Sequence, residues 1–186
     1  MSNTATNVTA GKPNINGAIY RAPLGTTLPT DSSTSLNSAF KCLGYCGDAG
    51  LVNSASREST DIKAWGGDTV LNIQTSFSDT FKFTLLEVLN TDVLKAVHVD
   101  ANVSGALATG ITVNVNSKEQ SDCCWVIEMV MRNSAVKRIV IPCGKITEMS
   151  DVTYSDSAAV GYEVTVTATP DSSGNTHYEY IKRTSS

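Results

Sequence analysis

Polar and apolar positions alternate with a period of two over much of the chain. In residues 69–77, Leu71, Ile73, Thr75 and Phe77 fall on one face and Asn72, Gln74 and Ser76 on the other. Ser78-Asp79 reads as a turn into a second strand, with Phe81, Phe83 and Leu85 inward and Lys82 and Thr84 outward. Ile111, Val113 and Val115 oppose Thr112, Asn114 and Asn116. Trp125, Ile127, Met129 and Met131 form one face of a strand whose other face mixes Val126, Glu128, Val130 and Arg132. Val160, Tyr162, Val164, Val166 and Ala168 oppose Gly161, Glu163, Thr165, Thr167 and Thr169. Such alternation argues for half-buried antiparallel strands, and residues 135–149 and 176–181 add further ones. The expected fold is mainly β, a sandwich or barrel. One helix interrupts it: Asn90-Thr91-Asp92 offers an N-cap ahead of Val93, Leu94, Ala96 and Val97, with Asp92 near the positive helix end. Residues 35–40 suggest a second, shorter helical turn. Residues 1–17 form a polar arm without periodicity, and residues 18–186 one domain.

Composition adds a hint about surroundings. Charged residues make up only 17% of the 186, against about 25% in an ordinary soluble domain. Ser, Thr, Asn and Gly fill the gap, and a surface of small uncharged polar groups suits a protein that touches copies of itself. The net charge of −4 speaks against a nucleic-acid binder, which needs a basic stripe. Lys137-Arg138 and Lys182-Arg183 are the basic pairs, and neither lies in an aromatic-basic cluster. No run approaches the roughly 20 apolar residues of a membrane helix. The opening MSNTATNVTAGKPNING lacks the charged and apolar regions of a signal peptide. Synthesis in a cytoplasm with reduced thiols is therefore expected, and five cysteines, an odd number, argue against a disulfide framework.

Candidate chemistry is thin. Cys42 and Cys46 make one loose knuckle, and Cys123-Cys124, Cys143, His98 and His177 supply no second one at zinc spacing. Adjacent cysteines on a strand point to opposite faces, so ordinary buried thiols are the better reading. Glu58, Asp61 and Asp68 lack the every-second-residue spacing of a calcium loop. No nucleophile elbow, P-loop or HExxH is present. His98 sits at an expected helix end, where a cation favours the dipole, and His177 in a polar turn. No catalytic residue, metal ligand or cofactor is assigned.

The stretch RESTDIKAWGGD is the unusual segment. Its Trp65 has a bland reading, a core cap beside a loop, and a sharper one, an interface anchor of the kind that costs 2 kcal/mol or more when truncated.

GAIYRAPLGTTLPTD, ESTDIKAWGGDTV, DTFKFTLLEVLNTDVLKAV, KRIVIPCGKITEM and AVGYEVTVTATPDSSGNTHYEY together resemble the major tail tube proteins of long, flexible-tailed (siphovirus-type) phages, closest to those of actinobacterial phages. The likeness spans roughly residues 17–181; the five cysteines look atypical of the family. The resemblance implies a tail-tube-type β-sandwich or barrel with one flanking helix, the inner sheet joining a ring-wide β-barrel. It also implies hexameric rings stacked helically into a hollow tube, in the virion, after assembly in the host cytoplasm. The partners it implies are copies of the chain, a tape-measure protein and DNA in the lumen without sequence-specific binding, and tail terminator and tail-tip proteins at the ends. No immunoglobulin-like C-terminal domain is expected. In this family a long loop between two early strands reaches a neighbour, and here it would be residues 48–68. Its expected interface residues are Arg57, Glu58, Asp61, Lys63, Trp65, Gly66, Gly67 and Asp68. The arm, with Lys12, Pro13 and Asn14, is a second expected contact, to an adjacent ring. Candidate lumen residues are Asn72, Gln74 and Ser76, with Thr165, Thr167 and Thr169. Two rivals stay open: a tail terminator or secreted ring protein on the same fold, and a monomeric β-sandwich binding module.

Overall fold

The computed structural model describes residues 3–15, 17–132 and 134–183. Positions 1–2 and 16 of the expected arm and 133 and 184–186 of the expected domain lie outside them. The strands are β1 (Gly11–Pro13), β2 (Ile19–Pro23), β3 (Lys41–Cys42), β4 (Cys46–Lys63), β5 (Thr69–Leu85), β6 (Val103–Ala106), β7 (Gly110–Val113), β8 (Cys123–Met131), β9 (Ala135–Met149), β10 (Tyr162–Ala168) and β11 (Tyr178–Arg183); helix α1 (Thr91–His98) follows β5. All but β6 and β7 belong to one antiparallel sheet of path β3-β2-β8-β9-β10-β5-β4, with β1 added to β8 and β11 to β9. β6 and β7 pair separately.

The large sheet curls until strands far apart in its path meet. Phe83 of β5 packs against Trp125 of β8, ring centroids 6.3 Å apart. Phe81, Leu85, Val164, Val166, Ile127, Ile139 and Ile141 fill the same core, and Val93, Leu94, Ala96 and Val97 of α1 cover it. The Trp125 indole donates to the Gly144 carbonyl at 2.9 Å, which satisfies its one polar atom. A second, smaller core lies on the opposite face of β8, where Cys124, Val126, Val140, Ala22 and Phe40 meet under residues of the 24–40 loop. Cys123 and Cys124 thus point into different cores.

Several expectations need correction. Ser78-Asp79 makes no turn, and β5 runs unbroken for 17 residues. Asp favours turns because its side chain can bond nearby backbone. Here Asn53, Thr176 and His177 occupy that carboxyl instead. Residues 48–68 are not a loop: β4 takes 18 residues and pairs with β5 from end to end, leaving a short turn. Residues 35–40 form no helix; the backbone turns once, with Phe40 N–H donating to Asn37 O at 3.0 Å. The outer face of β8 is covered at Cys124 and Val126 and half-covered at Glu128, while Val130 is exposed. Glu128 on it accepts from the buried Arg138 at 2.5 Å, and Arg138 Nη1 also donates to the Asp31 carbonyl at 2.8 Å. Two neighbouring side chains on the sheet thereby tie down a distant loop. Val115 lies past the end of β7 and is exposed.

The helix forms where its cap places it. Asn90 accepts from the Asp92 N–H at 3.0 Å, and its amide donates to Glu87 at 3.0 Å. Asn90→Ala should lower stability by about 1 kcal/mol, read as a shift in the denaturant midpoint with an unchanged slope.

Candidate assembly surface

β4 and β5 leave the body together as a two-stranded arm. From Asn53 to Ser78 every residue is exposed. Strands rise about 3.3 Å per residue, so the part beyond Ala55 projects by roughly 25 Å. The register runs Arg57↔Phe77, Glu58↔Ser76, Ser59↔Gln74, Thr60↔Ile73, Asp61↔Asn72 and Ile62↔Leu71. The step from Ser76 to Gln74 leaves Thr75 as an extra residue on β5, a β-bulge.

That bulge reverses which side chains share a face. Cross-strand partners point the same way, so Phe77 lies with Asn72 and Gln74, and Ser76 with Ile73 and Leu71. The alternation read from residues 69–77 breaks at Thr75. Of the expected interface residues, Arg57, Asp61 and Lys63 occupy one face and Glu58 the other. Contacts within the hairpin hold them: the Arg57 guanidinium stands 4.6 Å from the Phe77 ring centroid, Asn72 donates to Asp61 at 2.7 Å, and Ser76 donates to Glu58 at 3.1 Å.

The tip is built by glycine. Gly66 and Gly67 have φ of 115° and 101°, values that side-chain-bearing residues rarely adopt. The turn closes through Ala64 N–H to Asp68 O at 2.8 Å and Gly67 N–H to Ala64 O at 3.0 Å. Its backbone satisfied, the turn throws the Trp65 indole fully into solvent. Trp65 therefore caps no core. Val52, Ile62, Val70, Leu71, Ile73 and Phe77 are also exposed along the arm, an apolar concentration that scattered surface residues do not explain.

Behind the arm, β9, β10, β5 and β4 present an outward polar face. Thr165 pairs with Lys82 and Glu148, and Thr167 with Thr80 and Lys145. The hydroxyls of Thr147 and Thr167 bond at 2.7 Å. The cations there are neutralised: Lys82 by Glu163 at 2.9 Å and Lys145 by Glu119 at 2.5 Å. The bonds from Ser150 and then Lys82 hold the Glu163 carboxyl below its ordinary range. Ser76 belongs to this face with Thr165 and Thr167. Asn72 and Gln74 lie on the other face beyond the bulge, and Thr169 sits past the end of β10, its N–H donating to Cys143 O at 2.8 Å.

At the hairpin root sits Asp79, fully buried. Its carboxyl accepts from Asn53 Nδ2 at 2.8 Å and Thr176 Oγ1 at 2.6 Å, and His177 Nδ1 lies 2.5 Å away. Nothing in the pattern pointed to Asp79; a carboxyl between two apolar strand halves was the available signal. His98 is half-buried against Tyr162, ring centroids 5.7 Å apart, and burial lowers its pKa. Burial likewise raises the thiols of Cys123, Cys124 and Cys143, and pushes Cys46 to about 11. Among the described residues no three His, Cys, Asp or Glu side chains gather as a metal ion would need, and no helix is long and apolar enough to cross a membrane.

The family model described as "Phage tail tube protein" matches residues 2–185. The chain belongs to the phage tail tube protein family. Among solved structures, this tail tube protein is similar to a chain of the "tail of empty GTA particle computed with helical refinement, C6 symmetry", at 10% identity and a TM-score of 0.44, over 94% of this chain and 100% of that one. A search of curated proteins found no match. For a structural tail component, the exposed β4–β5 hairpin and the charge-balanced sheet face replace an active site as the features to explain. The arm takes an unexpected form in this tail tube protein. Its Gly11–Pro13 segment is β1, registered on Met131, Val130 and Met129 of its own subunit, and Asn14 donates to Glu128 at 2.9 Å. Lys12, Pro13 and Asn14 are thus placed by the subunit's own sheet.

Proposed function

We propose that this chain is the major subunit of a tail tube, in which six copies close a ring and rings stack helically into a hollow conduit for DNA. One observation carries the reading: a hairpin of two long strands stands clear of the body with Trp65, Leu71, Ile73 and Phe77 uncovered. A lone soluble domain gains nothing from such an arm, whereas an assembling subunit buries it on a neighbour. Closing a ring also covers the long edge of β4, which otherwise invites uncontrolled pairing.

The sheet face bearing Thr165 and Thr167 is the bore wall in this reading, extended by Thr80 and Thr147; Ser76 carries that face onto the hairpin, where Leu71 and Ile73 beyond the bulge are covered by a neighbour. Duplex DNA carries one negative charge per ~1.7 Å. A wall whose lysines are each matched to a glutamate neither grips nor strongly repels it, so the duplex slides. Asn72 and Gln74 are reassigned from the bore to the hairpin's contact surface. The chain performs no reaction, and a tape-measure protein fills the lumen before DNA does. The terminator and tip proteins meet the two ends.

Electron microscopy of purified protein at rising concentration tests this. Long hollow tubes with sixfold end-on projections are expected above a critical concentration. Isolated rings would favour a terminator, and a monomer at every concentration in sedimentation would end the proposal.

A further inference from the structure

A cleft of about 250 Å³ opens between β1 and the root of β4. Its apolar lining comes from Pro13, Ala18, Ile19, Leu51, Ile127 and Met129. Lys12 and Asp48, both exposed, stand at its rim. Beside it Ile15 and Tyr45 project into solvent from an adjoining hollow that shares Pro13, Ala18 and Cys46. Among the described residues, Trp65 and Ile15 are the two most exposed large apolar side chains. One marks the hairpin tip and the other the hollow beside the cleft.

We propose that the Trp65 tip of one subunit seats in this β1–β4 cleft of a second copy. The claim rests on the assembly role of the hairpin and names where it lands. Reach excludes the subunit's own cleft. Leu51 lines the cleft and Lys63 ends the same strand, which at about 3.3 Å per residue puts the tip roughly 40 Å away. Backbone pairing along the hairpin prevents it from folding back. Charge supports the match. Trp65 is flanked by Lys63 and Asp68, one cation and one anion, and the cleft rim offers Asp48 and Lys12. Seating the indole sets Lys63 against Asp48 and Asp68 against Lys12, a pairing that selects one orientation of the tip. The floor supplies apolar side chains and the Met129 thioether, groups that an aromatic ring packs well against.

The contact is head-to-tail, because tip and cleft are different surfaces at opposite ends of one strand. Heterologous contacts propagate, closing into rings or continuing as helices. The cleft also gives β1 a purpose: Gly11–Pro13, held on β8, is one wall of the receptor site.

The test incorporates p-benzoylphenylalanine in place of Trp65, doped as a minor fraction into wild-type subunits, with irradiation of the assembled material and mapping by mass spectrometry. Position 65 is fully exposed, so the subunit folds normally. Cross-links to residues 11–13, 47–51 or 127–129 of a neighbour are expected. In parallel, Lys12→Glu should raise the concentration needed for assembly at least about tenfold. Adding Asp68→Lys should restore it to within about threefold. Cross-links confined to another surface, or no rescue by the double reversal, overturn the docking site and leave the hairpin's assembly role intact. Tubes that persist after removal of residues 56–76 would overturn both.

Discussion

Trp65→Ala combined with Arg57→Glu is expected to yield a folded, soluble subunit that no longer builds tubes. Both side chains lie on the exposed hairpin, so neither supports the core. Thermal midpoint and far-ultraviolet dichroism should therefore stay close to those of the parent. Assembly should fail for two reasons. A buried interface Trp costs 2 kcal/mol or more on truncation, which alone raises the critical concentration roughly thirtyfold. Arg57 rides on the face of Phe77 at 4.6 Å, and a glutamate there loses that cation–π contact and reverses the charge shown to a neighbour. Tubes of normal length from the double variant, at parental concentration, would refute the assembly role of the hairpin.

Asp79→Ala carries the largest expected cost in stability. The carboxyl is buried at the point where the hairpin leaves the body, opposite Ala55 on β4 and Ala168 on β10. It holds Asn53 across the strand pair and Thr176 and His177 from the segment that leads into β11. Removing the shared acceptor of a part-buried cluster costs about 1–3 kcal/mol, because the remaining polar groups lose their partner. For a chain of this size each kcal/mol corresponds to about 2–4 °C, so the melting temperature should fall by roughly 4–10 °C. Asp79→Asn preserves the volume and one acceptor oxygen and should recover part of the loss. A change under about 2 °C for the alanine variant would show that the cluster holds nothing together.

The contrast between Asp79 and Trp65 shows where the sequence was legible. Ser78-Asp79 looks like a turn because a short polar side chain can bond its own backbone. In the folded chain three distant groups claim that carboxyl, and strand geometry wins. Trp65 beside Gly66-Gly67 was legible only as a choice between a core cap and an exposed anchor; the glycine-built turn, with φ values that glycine supplies cheaply, puts it in solvent. Asn72, Gln74 and Ser76 were legible as a polar set but not as a divided one, since nothing in the alternation marks Thr75 as the extra residue. The register of β4 against β5 decides that.

By itself, the sequence determined the strand-rich fold, the Asn90-capped helix, the inward residues Phe81, Phe83 and Leu85 of β5, the inward face of β10, and the kinship with phage tail tubes. Period-two burial and capping are local, and a family likeness rests on residues in order. Only the tertiary structure decided that residues 48–68 are paired strand, that Gly11–Pro13 lies on β8, that the Cys123–Ile127 half of β8 is buried on both faces, and that Ser76 faces away from Asn72. Each depends on which strand lies alongside which, and the hydrogen bonds and apolar contacts that fix such pairing join residues far apart in the chain.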